Sequence, residues 1–585
     1  MSAPAQKDKF TPELRILVAS LLSFGVIILW AKYFGPKPPV QPPQTNRAVQ
    51  SAPAVPGPAT SPATSPAKAP ATATAIGPAA TGAVAVKIDS QERSIVIENS
   101  LYRVEFSNHG AVVKSWQLKN YKDDAKPQRV LDVVHPDASQ QTSGWPFSVV
   151  LDDEALQGAA NGGLYQISSS ESTLRAPTDV EFTWSDGHLE VTKHFRFDHS
   201  YVVRVETSVK LNGSPIPAGI AWLGGFGDLT VSNPAPVETV TTFYSEGGKI
   251  TSLPHKKLEG LDKWGPGLWQ GGKEFTGIED RYFAAAFLPA NGGAPSAFET
   301  RYWKTSRTVQ VNGQDALEPV PQVATRTSAQ PLALRVYVGP KDYDDLKKIN
   351  PPLHGLINFT WLEFIAEPLF HGLKWIHSYV PNWGWAIVVL TLVINMLLFP
   401  LRISSYKTTL KMQRVAPEIK AIQEKYKKYT MRDPRKAEMN KEVMAIYSRE
   451  GINPVGGCFQ MFLQMPVWFG LNTALRGAIE MRHATWLWIV DLSSKDPFYI
   501  LPVLMGVSMY LVSKMTPMTS TDPQQQMMMK IMPVSMAAIF MISPISSGLA
   551  VYILTSSVVG IVQQWYLNRT HPVVVPAKQL RGKKS

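Results

Sequence analysis

The sequence predicts an α-helical membrane protein of six spans, an N-terminal anchor plus a five-helix core, with a large antiparallel β-sandwich on one side and a helical hairpin on the other. Charge is the first observation behind this reading. The 585 residues include 58 Lys and Arg against 46 Asp and Glu, and the excess sits in two segments. Arg402 to Gly451 holds 13 bases against 6 acids and Asn568 to Ser585 holds 5 against none, which leaves 40 of each elsewhere. Both segments adjoin long apolar runs, the arrangement that orients membrane proteins with Lys and Arg in the cytoplasm. Methionine is the second observation. Of 19 Met, only Met1 precedes Met396, so the near-zero mean hydropathy averages two unlike parts. Third, the middle of the chain alternates polar and apolar residues in short runs, the pattern of half-buried strands.

Taken in order, residues 1–34 form a short stub and an anchor. Lys7, Lys9 and Arg15 precede the apolar run Ile16 to Trp30, with Lys32 and Tyr33 behind it. The run fits a signal sequence or a signal anchor. No small-x-small cleavage site follows it directly, and Trp30 and Tyr33 suit an interfacial aromatic belt, so the anchor is predicted to stay uncleaved. Residues 35–85, rich in Pro, Ala, Thr, Ser and Gln, cannot bury a core and read as a disordered tether.

Residues 86–345 carry the strand pattern, as in Tyr102 to Phe106 and His194 to Phe197, with turn signals at Asp186-Gly187, Asn212-Gly213 and Asn312-Gly313. This predicts the sandwich. His188, His194, His199, Asp186, Asp198 and Glu206 fall close together within it. Such a group suits sugar chemistry or a metal, but polar residues at every second strand position usually just face water. The single cysteine, Cys458, excludes an intramolecular disulfide framework and a Cys-cluster zinc site.

Residues 346–384 become aromatic and helical, with apolar residues at three- and four-residue spacing. They fit an amphipathic helix in the membrane interface or a helix packed on the sandwich. Within the core, 385–567, the spans are placed at Trp385 to Leu401, Val455 to Leu475, Phe498 to Val512, Met527 to Ile542 and Ser547 to Leu567. With the anchor starting inside, both basic segments come out cytoplasmic. The outer loop Arg476 to Pro497 carries three bases and three acids, as that orientation requires.

The cytoplasmic segment 402–452 contains an a/d stripe, Met412, Val415, Ile419, Ile422 and Tyr426. Met439, Val443 and Ile446 repeat it beyond the breaker Arg432 to Arg435, which predicts an antiparallel hairpin. Its Lys-rich outer faces suit anionic headgroups, RNA or an acidic protein, or are simply a solvated face obeying positive-inside. The tail, 568–585, is basic throughout.

Polar residues inside the spans are costly against lipid and belong on a protein or water-filled interior. They are Thr391, Asn395, Gln460, Gln464, Tyr552, Thr555, Ser556 and Ser557; a Ser or Thr among them also has back-bonding to its own helix as an ordinary role. No charge lies at mid-depth, which argues against an ion pump. Met515, Met528 and Met529 stand in the cytoplasmic loop and the fifth span, where flexible thioethers suit variable partner helices or ordinary packing.

The run Asn453 to Phe459, with Gln464-Met-Pro466, Tyr499 to Gly506, Thr521 to Pro523 and Ser547 to Leu549, resembles the YidC membrane protein insertases of double-membraned bacteria. The resemblance covers essentially the whole chain. It implies an inner-membrane, multi-pass insertase and chaperone, with the sandwich in the periplasm and similar to the sugar-mutarotase superfold. It also implies a hydrophilic groove open to cytoplasm and lipid. Thr391, Asn395, Arg402, Gln464, Tyr552 and Ser556 are the groove residues expected from it, with Met515, Met528 and Met529 at the cytoplasmic mouth.

Implied partners are nascent membrane proteins, the lipid bilayer, the general translocation channel, and the ribosome through the basic tail and cytoplasmic loops. No small-molecule substrate, metal or cofactor is implied, and the sequence holds no GxxxxGK[ST] phosphate loop. Many family members place a positive residue in the second span, where this chain has Asn395. The nearest base, Arg402, lies seven residues on, roughly 10 Å nearer the cytoplasm. The alternative reading is a membrane-anchored protein that binds or modifies periplasmic glycans.

Overall fold

The computed structural model describes residues 85–228, 230, 240–258, 269–290, 298–311, 314–327, 331–357, 359, 362–429, 433–452, 459–516, 523–542 and 545–571. The predicted anchor, the tether, the Asn312-Gly313 turn and the tail beyond His571 lie outside them.

Strands run from Ser94 to Pro340 in three sheets. The largest is built on Leu332–Pro340, Val202–Leu211, Leu189–Phe197 and Thr178–Ser185, paired antiparallel in that order. Two of the predicted turns close its hairpins. Asp186 Oδ1 accepts the amides of His188 and Leu189 at 2.8 and 2.7 Å, which folds the chain back at Gly187. Asn212 and Gly213 both take positive φ, 52° and 79°, the backbone a two-residue hairpin turn needs. One pairing departs from the predicted antiparallel pattern: Ser94–Glu98 lies parallel to Thr173–Arg175. The intervening residues return the chain to the same end of the sheet, which alternation alone does not reveal.

Period-two alternation builds the core. Along Leu189–Phe197 the odd residues Leu189, Val191, Phe195 and Phe197 are buried. They meet an aromatic cluster in which Phe106 and Phe195 ring centroids lie 4.8 Å apart and Trp116 stacks on Phe147. Lys193 sits in the same inward register and is fully buried. Its ammonium donates to the carbonyls of Gly110, Ala111 and Phe147 at 2.7, 3.1 and 2.8 Å, so the charge is hydrogen-bonded on all three N–H positions.

Four of the acids and histidines picked out near residues 186–206 serve local structure. Asp186 shapes its turn, Asp198 accepts the Ser200 amide, His188 meets Asn212, and His194 pairs with Asp179 across the strands.

Among the described residues, seven long α-helices follow the sandwich: α1 Glu363–Tyr379, α2 Trp383–Lys425, α3 Arg435–Arg449, α4 Phe459–Gly477, α5 Ile500–Met515, α6 Pro523–Ile542 and α7 Ser547–Thr570. Helix α1 buries Ala366, Phe370, Leu373 and Ile376 while Phe364, Trp375 and Tyr379 stay exposed. Of the helices described, α2 and α7 are long and apolar enough to cross a membrane by length and composition, and α5 is a shorter apolar helix.

The helix that carries the span placed at Trp385 to Leu401 does not end with it. Helix α2 runs 43 residues through Pro400 and Pro417 and becomes the first arm of the hairpin. Each proline removes one backbone bond, but partners on both sides hold the helix: Arg402 and Tyr406 bond to α7, and Val415 and Ile419 pack with Ile446 of α3. Asn382 caps the start of α2 by accepting the Trp385 amide at 3.1 Å.

Candidate functional site

Helices α2 and α7 run parallel, because the residues that meet advance together along both. Asn395 Nδ2 reaches Ser556 Oγ at 3.3 Å, Arg402 Nη1 donates to Gln563 Oε1 at 2.8 Å, and Tyr406 Oη donates to Asn568 Oδ1 at 2.8 Å. The sandwich lies at the opposite end: Arg281 of the sandwich donates to the carbonyl of Arg476 near the C-terminus of α4, and Asn382 before α2 donates to the Thr485 carbonyl just past α4. The basic segment and the end of α7 therefore share the side away from the sandwich.

These contacts form a polar ladder through an apolar core. Asn395, 8% exposed, also donates to the Thr391 carbonyl at 2.8 Å, and its own carbonyl accepts from Gln563 Nε2 at 3.2 Å. Arg402 Nη2 adds a 3.3 Å bond to the Gly560 carbonyl, so the partners of this cation are neutral oxygens. A second rung joins α4 to α7, where Gln464 Nε2 donates to Tyr552 Oη at 2.7 Å. At the far end Asn568 Nδ2 donates to the carbonyl of Met515, tying α5 to α7.

Five of the six predicted groove residues thus meet a partner on another helix: Asn395 with Ser556, Gln464 with Tyr552, and Arg402 with α7. Thr391 does not. It is fully buried and its hydroxyl turns back to the Ile387 carbonyl at 2.6 Å. Ser557 likewise bonds within α7. The side chains of Gln460, Met528 and Met529 lie outside the described residues. Sequence reasoning missed Gln563, Gln564 and Asn568. Their signal was available as three amides within six residues of an apolar helix, Gln563 standing seven residues after Ser556 just as Arg402 stands seven after Asn395.

The 60Kd inner membrane protein family matches residues 375–574, and the YidC periplasmic domain family matches residues 94–372. The chain is 33% identical over 573 residues to the membrane protein insertase YidC of Syntrophus aciditrophicus, covering 95% of this chain and 99% of the relative. It is 31% identical over 581 residues to that of Methylobacillus flagellatus, covering 95% and 97%. Among solved structures, an active YidC insertase crystal structure with its first transmembrane domain resolved aligns at 18% identity and a TM-score of 0.33, over 83% of this chain and 95% of that one.

Proposed function

The chain belongs to the YidC membrane protein insertase family, and from that premise we propose that it inserts and folds client transmembrane helices along a hydrophilic groove between α2, α4 and α7. It is an insertase of the inner membrane with a β-rich periplasmic domain, not an enzyme. The glycan alternative finds no support among its relatives.

The observation that supports the groove is the ladder itself. Asn395, Ser556, Gln563, Gln464 and Tyr552 place hydrogen-bonding groups where lipid would leave a client's polar flank unsatisfied, at several kcal/mol per group. A client that exchanges bonds with this ladder crosses part of the bilayer at lower cost. Its apolar helix of about 20 residues then leaves into lipid, a downhill step that needs no nucleotide.

In this reading the core spans the membrane five times and the N-terminal anchor a sixth, with α1 in the outer interface, where its exposed Trp375 and Tyr379 suit the headgroup level. The charge of Arg402 serves the groove's mouth and Asn395 its neutral centre. Met515, Met528 and Met529 stand at the intake. The basic tail and hairpin meet ribosomal RNA, and the translocation channel is a further partner.

The test is insertion of a small acidic-flanked membrane protein into liposomes holding purified protein, scored by protection from external protease. Wild type is expected to exceed empty liposomes. Asn395→Ala is expected to lower insertion about fivefold, the equivalent of one hydrogen bond of about 1 kcal/mol, and Arg402→Ala to lower it less. Intact insertion in Asn395→Ala with complete loss in Arg402→Ala would overturn the neutral-centre reading. No protection with wild type would overturn the groove as a self-sufficient device.

A further inference from the structure

Residues 478–499, between α4 and α5, lie across the sandwich end of the helical core and touch the helices that begin there. Asn382 Nδ2 donates to the Thr485 carbonyl at 2.9 Å, and Trp486 packs directly over Gly384 at the start of α2. The amides of Ser547 and Gly548, opening α7, donate to the carbonyls of Ser494 and Leu492 at 2.7 and 2.8 Å. Asp496 accepts the amide of Leu501, the second residue of α5, at 2.6 Å. The segment therefore closes the outer ends of α2, α5 and α7 together.

Two adjacent side chains, Arg482 and His483, carry this segment across to the sandwich. Arg482, only 3% exposed at its side chain, donates to the Lys122 carbonyl at 2.9 Å and pairs with Asp124 and with the equally buried Asp228. The rings of Tyr282 and Phe283 lie 5.5 and 5.4 Å from its guanidinium carbon. Its neighbour His483 meets Asp124 Oδ1 at 2.7 Å.

The acceptor is built by the sandwich itself. Asp280 accepts the amides of Asp228, Tyr282 and Phe283 at 3.0, 2.8 and 2.7 Å, which aligns the carboxylate and both rings around the guanidinium. Gly227, at φ +95°, leaves the room: a Cβ there would sit 2.2 Å from Asp280 Oδ2. A buried charge pair of this kind tolerates no loss of one partner, since the other is left unpaired out of water.

We propose that Arg482 is the positioning residue of an outer seal: docked on the sandwich, it holds the 478–499 segment closed over the ends of α2, α5 and α7. A hydrated groove open to the cytoplasm needs such a closure to avoid becoming a pore. The purpose of the seal rests on the insertase reading; its geometry does not.

The test uses the full chain in nanodiscs, in a Cys458→Ser background, with a membrane-impermeant maleimide. Ser547→Cys, 1% exposed beneath the segment, reports the seal. Thr207→Cys, fully buried in the large sheet, reports global opening. Arg482→Gln and Asp228→Asn are each expected to speed labelling at position 547 about tenfold or more, while position 207 stays protected and Arg482→Lys falls between. Unchanged labelling at 547 in Arg482→Gln would overturn the proposal, as would equal labelling at 207, which would mark a collapsed domain. Failure of wild type to insert a client, with the labelling pattern intact, would overturn the groove as a self-sufficient device and leave the seal.

Discussion

Raising the pH from about 7 to about 10 is expected to stabilise the sandwich by roughly 4 kcal/mol in the wild type and to do nothing comparable in Lys193→Met. Burial pushes the Lys193 ammonium from its ordinary 10.5 down to about 7. Between those values the unfolded chain binds a proton that the folded chain has released. The unfolded state holds more protons there, so stability rises with pH, and below about pH 7 both states are charged and the slope vanishes. The trend reverses above about pH 10. Burial raises the phenols of Tyr102 and Tyr165 well above their ordinary value and that of Tyr201 to about 12, so the unfolded chain ionises first.

Thermal melting of the purified protein, followed by the near-ultraviolet signal of its buried aromatics, measures both variants across this range. Parallel pH dependence in wild type and Lys193→Met would remove Lys193 as the cause. The Met variant is also expected to melt earlier at pH 8, because the Gly110, Ala111 and Phe147 carbonyls lose the two N–H donors that the neutral amine still offers, at about 1 kcal/mol or more per bond.

Gly384→Val is expected to unseat the outer segment and to mimic Arg482→Gln in the cysteine assay. A Cβ at residue 384 would lie 2.2, 2.3 and 2.6 Å from three atoms of Trp486, closer than real side chains approach. Trp486 has nowhere easy to go. It is 8% exposed, its ring meets Trp385 edge-on at 5.5 Å, and Trp488 lies 6.1 Å beyond. Overpacking of this sort typically costs 1–3 kcal/mol, about that or more here, where a rigid ring meets a helix backbone. Faster labelling at Ser547→Cys with an unchanged melting transition of the sandwich is the expected result. Slow labelling in Gly384→Val would show that Trp486 repacks without moving the segment.

The groove partners were legible only by half. Asn395, Gln464, Tyr552 and Ser556 stood out because a polar residue in an apolar span is conspicuous by itself. Their pairing was not legible, since Asn395 and Ser556 lie 161 residues apart and nothing local ties them. Thr391 was as conspicuous, yet its hydroxyl is spent on its own helix. The length of α2 was hidden for a related reason. Pro400 weakens α2 locally, but Arg402 and Tyr406 anchor the next two turns to α7 from outside any sequence window.

Sequence by itself determined which segments alternate, which are apolar enough for lipid and which face carries the bases, because each property accumulates over a few neighbouring residues. In the structure Lys193 follows the inward register of Val191 and Phe195. Only the tertiary structure decided what that lysine donates to, which neutral oxygens receive Arg402, and that Arg482 reaches the sandwich at Lys122, Asp124 and Asp228, 254 to 360 residues away. Buried polar groups must be satisfied wherever a partner exists in space, and chain order does not say where that is.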